Sequence, residues 1–268
     1  MNNKNYLEQN GFLVIRNLLS GSEIDKLVQI SNKLHENKNS KYGPIHNSKD
    51  AWGIIGNQKI INLVKEVLGT QNIVYLFHGH SVFQDRNTNV DNAWHRDNAC
   101  RLFGKGPDWR DDYNILRVAI YLDDGDSGLN LIRNSHKGKG YICKLINFLR
   151  TKHKFIYHKR IFRFFFDNIV GKKIHTNAGD CVFFYANTYH SAINNKKYQN
   201  ITRRALFLTY GTDNSHARNH MNYYLFHRTG EGFELLENDK NELLKFLEEK
   251  NIKINPPEKK IDIESASI

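Results

Sequence analysis

Apolar residues recur at helical spacing through Ile24, Leu27, Val28, Ile30 and Leu34, and again through Ile60, Ile61, Val64, Val67 and Leu68, which predicts two amphipathic helices. Ser20 or Ser22 is placed to cap the first, with Glu23 and Asp25 in its opening turn, and Gly69 ends the second. Leu243, Leu244, Phe246 and Leu247 predict a third, over Asn238–Lys250. Between these helices the pattern changes to short runs of β-branched and aromatic residues. Phe12–Ile15, Asn72–Phe83, Ile115–Leu122, the run after Gly179-Asp180, and the segment beginning at Thr202 read as strands, with His190 ending the run that starts at Cys181. Met221–His227 is apolar enough for a last edge segment, whereas 36–50, 85–91, 101–113 and 211–220 read as polar loops. These elements predict a mainly β chain with flanking helices, a single domain over 1–268. Residues 1–70 support it, 133–175 form an insertion or lid, and 237–268 carry the last helix and a mobile tail.

Charge sharpens this division. The chain has 39 basic and 28 acidic residues, a net charge of +11. Twelve of the basic residues lie between Arg133 and His175, against Asp167 alone, which leaves 27 of each sign elsewhere. Within 141–170 these charges interleave with Ile142, Leu145, Ile146, Leu149, Phe155, Ile156, Phe162, Phe164, Phe165, Phe166 and Ile169. Two readings stand side by side: a membrane-surface or anion-binding element, or a helix pair that packs its apolar faces and leaves its charges in water. Nucleic acid is the disfavoured partner, because its sites combine open charge with isolated stacking aromatics. No run of 18 apolar residues and no leader-like N-terminus is present, and Cys100, Cys143 and Cys181 are scattered. A cytoplasmic protein, with peripheral contact at a membrane surface, is the expectation.

The chemistry centres on Trp94-His95-Arg96-Asp97. In an extended segment alternate side chains share a face, so His95 and Asp97 can reach one point. A His-x-Asp pair arises by chance in a chain with 13 histidines. A third ligand, His190 beyond the Gly179-Asp180 turn, makes a His, carboxylate, His set that suits non-haem Fe(II). His78 and His80 have no third partner at matching distance and read as structural or substrate-pocket residues. Arg117, flanked by Leu116, Val118 and Ile120, must meet an anion or point to solvent.

Across most of its length the chain resembles the phytanoyl-CoA dioxygenase family of Fe(II)- and 2-oxoglutarate-dependent oxygenases. The resemblance rests on Tyr6–Ile15, Trp94–Asp97, Arg117–Asp124, Ser127-Gly128-Leu129 leading to Asn134-Ser135-His136-Lys137, His190, and Thr202-Arg203-Arg204-Ala205. Asn134 stands where the family's run has glycine. The resemblance implies a double-stranded β-helix (jelly roll, cupin-like) core. It makes His95, Asp97 and His190 the iron ligands, with 2-oxoglutarate and O2 at the open positions and 101–113 over the metal mouth. Arg203 is the implied partner of the far carboxylate of 2-oxoglutarate, with Arg204 as fallback, and Arg117, Ser191 and Thr202 are further candidate contacts. The implied reaction converts 2-oxoglutarate and O2 to succinate and CO2 and hydroxylates a small molecule, expected to be anionic or lipid-linked. Halogenation is not expected, since Asp97 fills the position a halide would need. The rival expectation is a non-catalytic membrane- or anion-binding module on a jelly-roll scaffold.

Overall fold

The structure, a computed structural model, describes residues 1–36, 42–84, 94–97, 114–125, 127–138, 141–152, 160–193, 202–227, 233–254 and 256–259. Its strands are β1 (Phe12–Ile15), β2 (Tyr42–Pro44), β3 (Ile73–Tyr75), β4 (His80–Gln84), β5 (Ile115–Tyr121), β6 (Ser127–Leu131), β7 (Lys172–Thr176), β8 (Cys181–Tyr185), β9 (His190–Ala192) and β10 (Arg203–Thr212). They form two antiparallel sheets. The larger runs β1-β8-β5-β10-β4-β2, with β3 also on β10, and the smaller runs β7-β6-β9.

Alternation along the central strands explains why every residue of β5 is buried. Leu116, Val118 and Ile120 face the main core with Ile60, Ile61 and Val64, whereas Ala119 and Tyr121 meet Leu129, Leu131 and Ile174 of the smaller sheet. β10 follows suit: Leu206, Leu208 and Tyr210 turn to the helices, and Ala205 and Phe207 turn to the space between the sheets. Period-2 alternation with both faces apolar gives a sheet covered on both sides.

Helix Gly21–His35 starts after Ser20, whose backbone N–H donates to Glu23 Oε2 at 2.8 Å. Helix Gln58–Leu68 ends at Gly69 in the left-handed region. Helix Glu237–Glu249 forms as its spacing predicts.

Three expectations need correction. The predicted strand over Asn72–Phe83 is two, because Phe77 adopts φ +55° and breaks the extended chain between β3 and β4. Met221–His227 is no edge segment: helix Ser215–Asn222, capped by Asn214, runs into a helical turn over Tyr223–His227. His190 does not end the strand from Cys181; β8 stops at Tyr185 and His190 opens β9 in the other sheet. The loops expected at 85–91 and 101–113, Cys100 and the tail beyond Lys259 lie outside the described residues.

Within 141–170, read as an insertion, the described residues form helices Tyr141–Lys152 and Arg160–Phe165 and a further turn over Phe166–Val170. The underside of this segment packs Cys143, Ile146 and Phe166 on Trp94, Ile132 and Tyr189.

Buried imidazoles make the fold acid-sensitive. His46 is 1% exposed, its Nε2–H donates to Phe233 O at 3.0 Å, and burial pushes its pKa down to about 4. The unfolded chain binds this proton near pH 6.5, so the contribution is complete above that pH and is lost as pH falls toward 4, about 3 kcal/mol in all. Urea midpoints should therefore drop across this window, and less in His46→Gln. A flat profile from pH 7 to 4.5 would contradict the assignment.

Candidate metal centre

Main-chain bonds bring the expected ligands together. His95 N–H donates to His190 O and His190 N–H to His95 O, each at 2.9 Å, so 94–97 lies beside β9 as one more strand-like pairing. Asp97 N–H donates to Ala186 O at 2.7 Å. His95 Nε2 then lies 3.4 Å from Asp97 Oδ1 and His190 Nε2 3.5 Å from Asp97 Oδ2, and one donor atom from each residue falls within 4.8 Å of the others. Metal–ligand bonds of about 2.1 Å at right angles set neighbouring donors about 3 Å apart, so this trio fits one face of an octahedral ion.

Protonation suits the same task. The imidazole Nδ1–H of His190 donates to Thr188 O at 3.0 Å, which leaves the Nε2 lone pair aimed at Asp97. Burial, helped by His95, holds the His190 pKa down at about 3. Burial alone would raise the Asp97 carboxyl, but nearby positive charge takes it well below the carboxylate range. Arg117 is the largest source of that lowering, and a hydrogen bond from His95 adds to it.

Arg117 is 1% exposed, so its solvent option is closed. Its Nε donates to Asp97 Oδ2 at 3.0 Å, its Nη1 donates to His78 O at 2.6 Å and to Thr209 Oγ1, and its guanidinium lies 5.3 Å from the Phe207 ring. The left-handed Phe77 is the residue before His78, whose carbonyl this arginine uses. Arg117 thus clamps one oxygen of Asp97 and leaves Oδ1 for a metal.

The other candidates separate. Arg204 gives Nη2 and Nε to Asp123 at 2.7 and 3.1 Å and Nη1 to Asn32, which ties β10 to helix Gly21–His35. Arg203 keeps step with Ala205 and Phe207. It lines, with Gln84, Tyr121, Leu129 and Ala192, a cavity of about 70 Å³ between the sheets. Ala192 is two residues from His190 on the same face of β9, which places one wall of the cavity next to that residue. Ser191 turns the other way, to the side of its pairing partner Asn130 beneath the insertion, because strand neighbours alternate. Thr202 lies just before β10, at the end remote from Thr209. His78 is no second metal site among the described residues: it stacks on Tyr224 at 3.5 Å, and its Nδ1 lies 3.1 Å from His220 Nε2.

Two functional positions escape sequence reasoning. Tyr121 is 4% exposed with its hydroxyl unpartnered in the cavity wall. Alternation from Arg117 could have found it. Ser135 accepts from Tyr189 N–H at 2.9 Å and donates to Ile132 O at 2.7 Å, fixing the chain just before His190. Asn134, in the place of the expected glycine, sits at φ +59°, a conformation asparagine tolerates, so the turn is kept.

No family model and no curated protein matches the chain at the level of sequence. Solved structures do match: the fold is shared with non-heme α-ketoglutarate-dependent enzymes. They include the epimerase SnoN from nogalamycin biosynthesis, at 17% identity over 78% of this chain and 81% of that one, with a TM-score of 0.56. HygX from Streptomyces hygroscopicus, with nickel and 2-oxoglutarate bound, matches at 14% over 80% and 87%, TM-score 0.59. The carbocyclase SnoK, also from nogalamycin biosynthesis, matches at 12% over 78% and 83%, TM-score 0.56.

Proposed function

We propose that this chain is an Fe(II)- and 2-oxoglutarate-dependent oxygenase of the phytanoyl-CoA dioxygenase type, with a double-stranded β-helix core, that hydroxylates an anionic or lipid-linked small molecule. The observation that carries the reading is the convergence of His95, Asp97 and His190 around one point, with Asp97 held ionised by a buried arginine. A tight trio of two imidazoles and one carboxylate suits a divalent ion. The cavity beside it suits a dicarboxylate: Arg203 lines it, and the Tyr121 hydroxyl is buried there without a partner. A carboxylate there would accept from the phenol and pair with the charge of the guanidinium.

Iron held by His95, Asp97 and His190 would, with 2-oxoglutarate, activate O2 for oxidation of the substrate, the 2-oxoglutarate leaving as succinate and CO2. The protein's own share is positional. Thr188 O sets the His190 tautomer, Arg117 keeps Asp97 charged and turned, and the main-chain pairing of His95 with His190 fixes both rings. Arg203 and Tyr121 hold the far carboxylate, while Leu129, Ala192 and Phe207 keep the cavity wall apolar. The intact ligand set weighs against a non-catalytic module.

The test is anaerobic addition of Fe(II) and 2-oxoglutarate. A visible charge-transfer band is expected in the parent and not in His95→Ala. Arg203→Met should weaken 2-oxoglutarate binding about 10- to 100-fold and Tyr121→Phe about 5-fold, whereas Arg204→Met should leave it within about 2-fold. A parent that binds iron yet never gives the band overturns the reading.

A further inference from the structure

Exposed apolar side chains are concentrated in one place on this protein. Among the described residues seven large hydrophobics are exposed, and five of them, Tyr141, Phe148, Phe164, Phe165 and Ile169, lie on the insertion. Phe164 and Ile169 are 64% and 67% exposed. On helix Tyr141–Lys152 the outer positions Tyr141, Lys144 and Phe148 follow one another at helical spacing, opposite the buried Cys143 and Ile146. The helix-packing reading therefore accounts for the underside alone.

The same segment carries the protein's whole positive excess. Lys144 and Lys173 are exposed there, Lys173 reaching Asn168 of the insertion at 2.9 Å, with Arg133 and Lys137 at its edge. Its one acid, Asp167, is turned inward: Asp167 Oδ1 accepts from Trp94 Nε1 at 2.9 Å. The outward face thus combines apolar side chains with basic charge and no described acid. No helix among the described residues is long and apolar enough to cross a membrane.

We infer that this face of the insertion docks on the surface of an anionic phospholipid bilayer. The aromatic rings and Ile169 enter the boundary between headgroups and acyl chains, and the lysines meet lipid phosphates. Aliphatic Ile169 has no use in stacking on a nucleic-acid base, and the net charge of +11 repels a second copy of this chain. Docking needs no iron, so it stands or falls apart from the proposed chemistry.

The experiment is sedimentation of the full chain with vesicles of phosphatidylglycerol and phosphatidylcholine, with vesicles of phosphatidylcholine alone, and with duplex DNA. Partition onto the anionic vesicles is expected, with little onto the neutral ones. Exchanging Tyr141, Phe164 and Ile169 together for serine should weaken partition about tenfold or more, with the melting temperature little changed because all three are largely exposed. Lys144→Gln with Lys173→Gln should weaken it and flatten its salt dependence. Failure to partition, equal binding by the serine variant, or retention by DNA but not by vesicles overturns the inference.

Discussion

Arg117→Met should cost the metal-free protein about 3–5 kcal/mol, the range for removing one partner of a buried ion pair. The Asp97 carboxylate is shielded from water and takes its compensation from Arg117 Nε at 3.0 Å, while His78 O and Thr209 Oγ1 depend on the same guanidinium. Methionine fills the space and supplies no donor. Arg204→Met is the control: water reaches its pair with Asp123, each side chain being 17% exposed, so a smaller loss of about 1 kcal/mol is expected. A divalent ion such as Mn(II) also brings positive charge to Asp97. Saturating metal should then stabilise Arg117→Met more than the parent. Urea denaturation with and without metal reads both effects; equal midpoints for parent and variant would show that the pair carries no such weight.

Gly128→Ala should be as damaging, by more than about 4 kcal/mol. Gly128 has φ +141°, and an added Cβ would meet Ile174 O at 1.9 Å. That oxygen belongs to the backbone of β7, paired with β6 residue by residue, so it cannot step aside. The other side is equally fixed, because Ile193 N–H donates to Gly128 O at 3.1 Å from the end of the His190 strand. Loss of soluble protein, or of iron binding together with a steep fall in melting temperature, is the expected result. Gly138→Ala isolates the backbone effect: its φ is +64° but a Cβ there meets nothing within 4 Å, so only about 1–2 kcal/mol should be lost.

The parts of the site visible in the sequence are those that obey local periodicity. His95 and Asp97 share a face because extended chain alternates, and the helices and most strands follow from spacing and caps. Arg117 was legible as a cation that must meet an anion or point to solvent, but neither its burial nor its partner was, since Asp97 meets it only once 94–97 has been laid beside β9. What sets Arg204 apart from Arg203, its bonds to Asp123 and Asn32, likewise comes from different elements. Phe77 defeated the strand expectation over Asn72–Phe83 because a left-handed aromatic residue breaks its own local preference, and only tertiary contacts hold it. The helix over Ser215–Asn222 was hidden by its composition: His216, Asn219, His220 and Asn222 are polar yet buried, so it shows no apolar stripe.

The two-bond ring between His95 and His190 has a use beyond coordination. It is made of peptide groups alone, so either imidazole can be exchanged without unpicking the ladder that positions it. The donor types are therefore a replaceable cassette, and a different metal preference could be written into the same frame by changing two side chains.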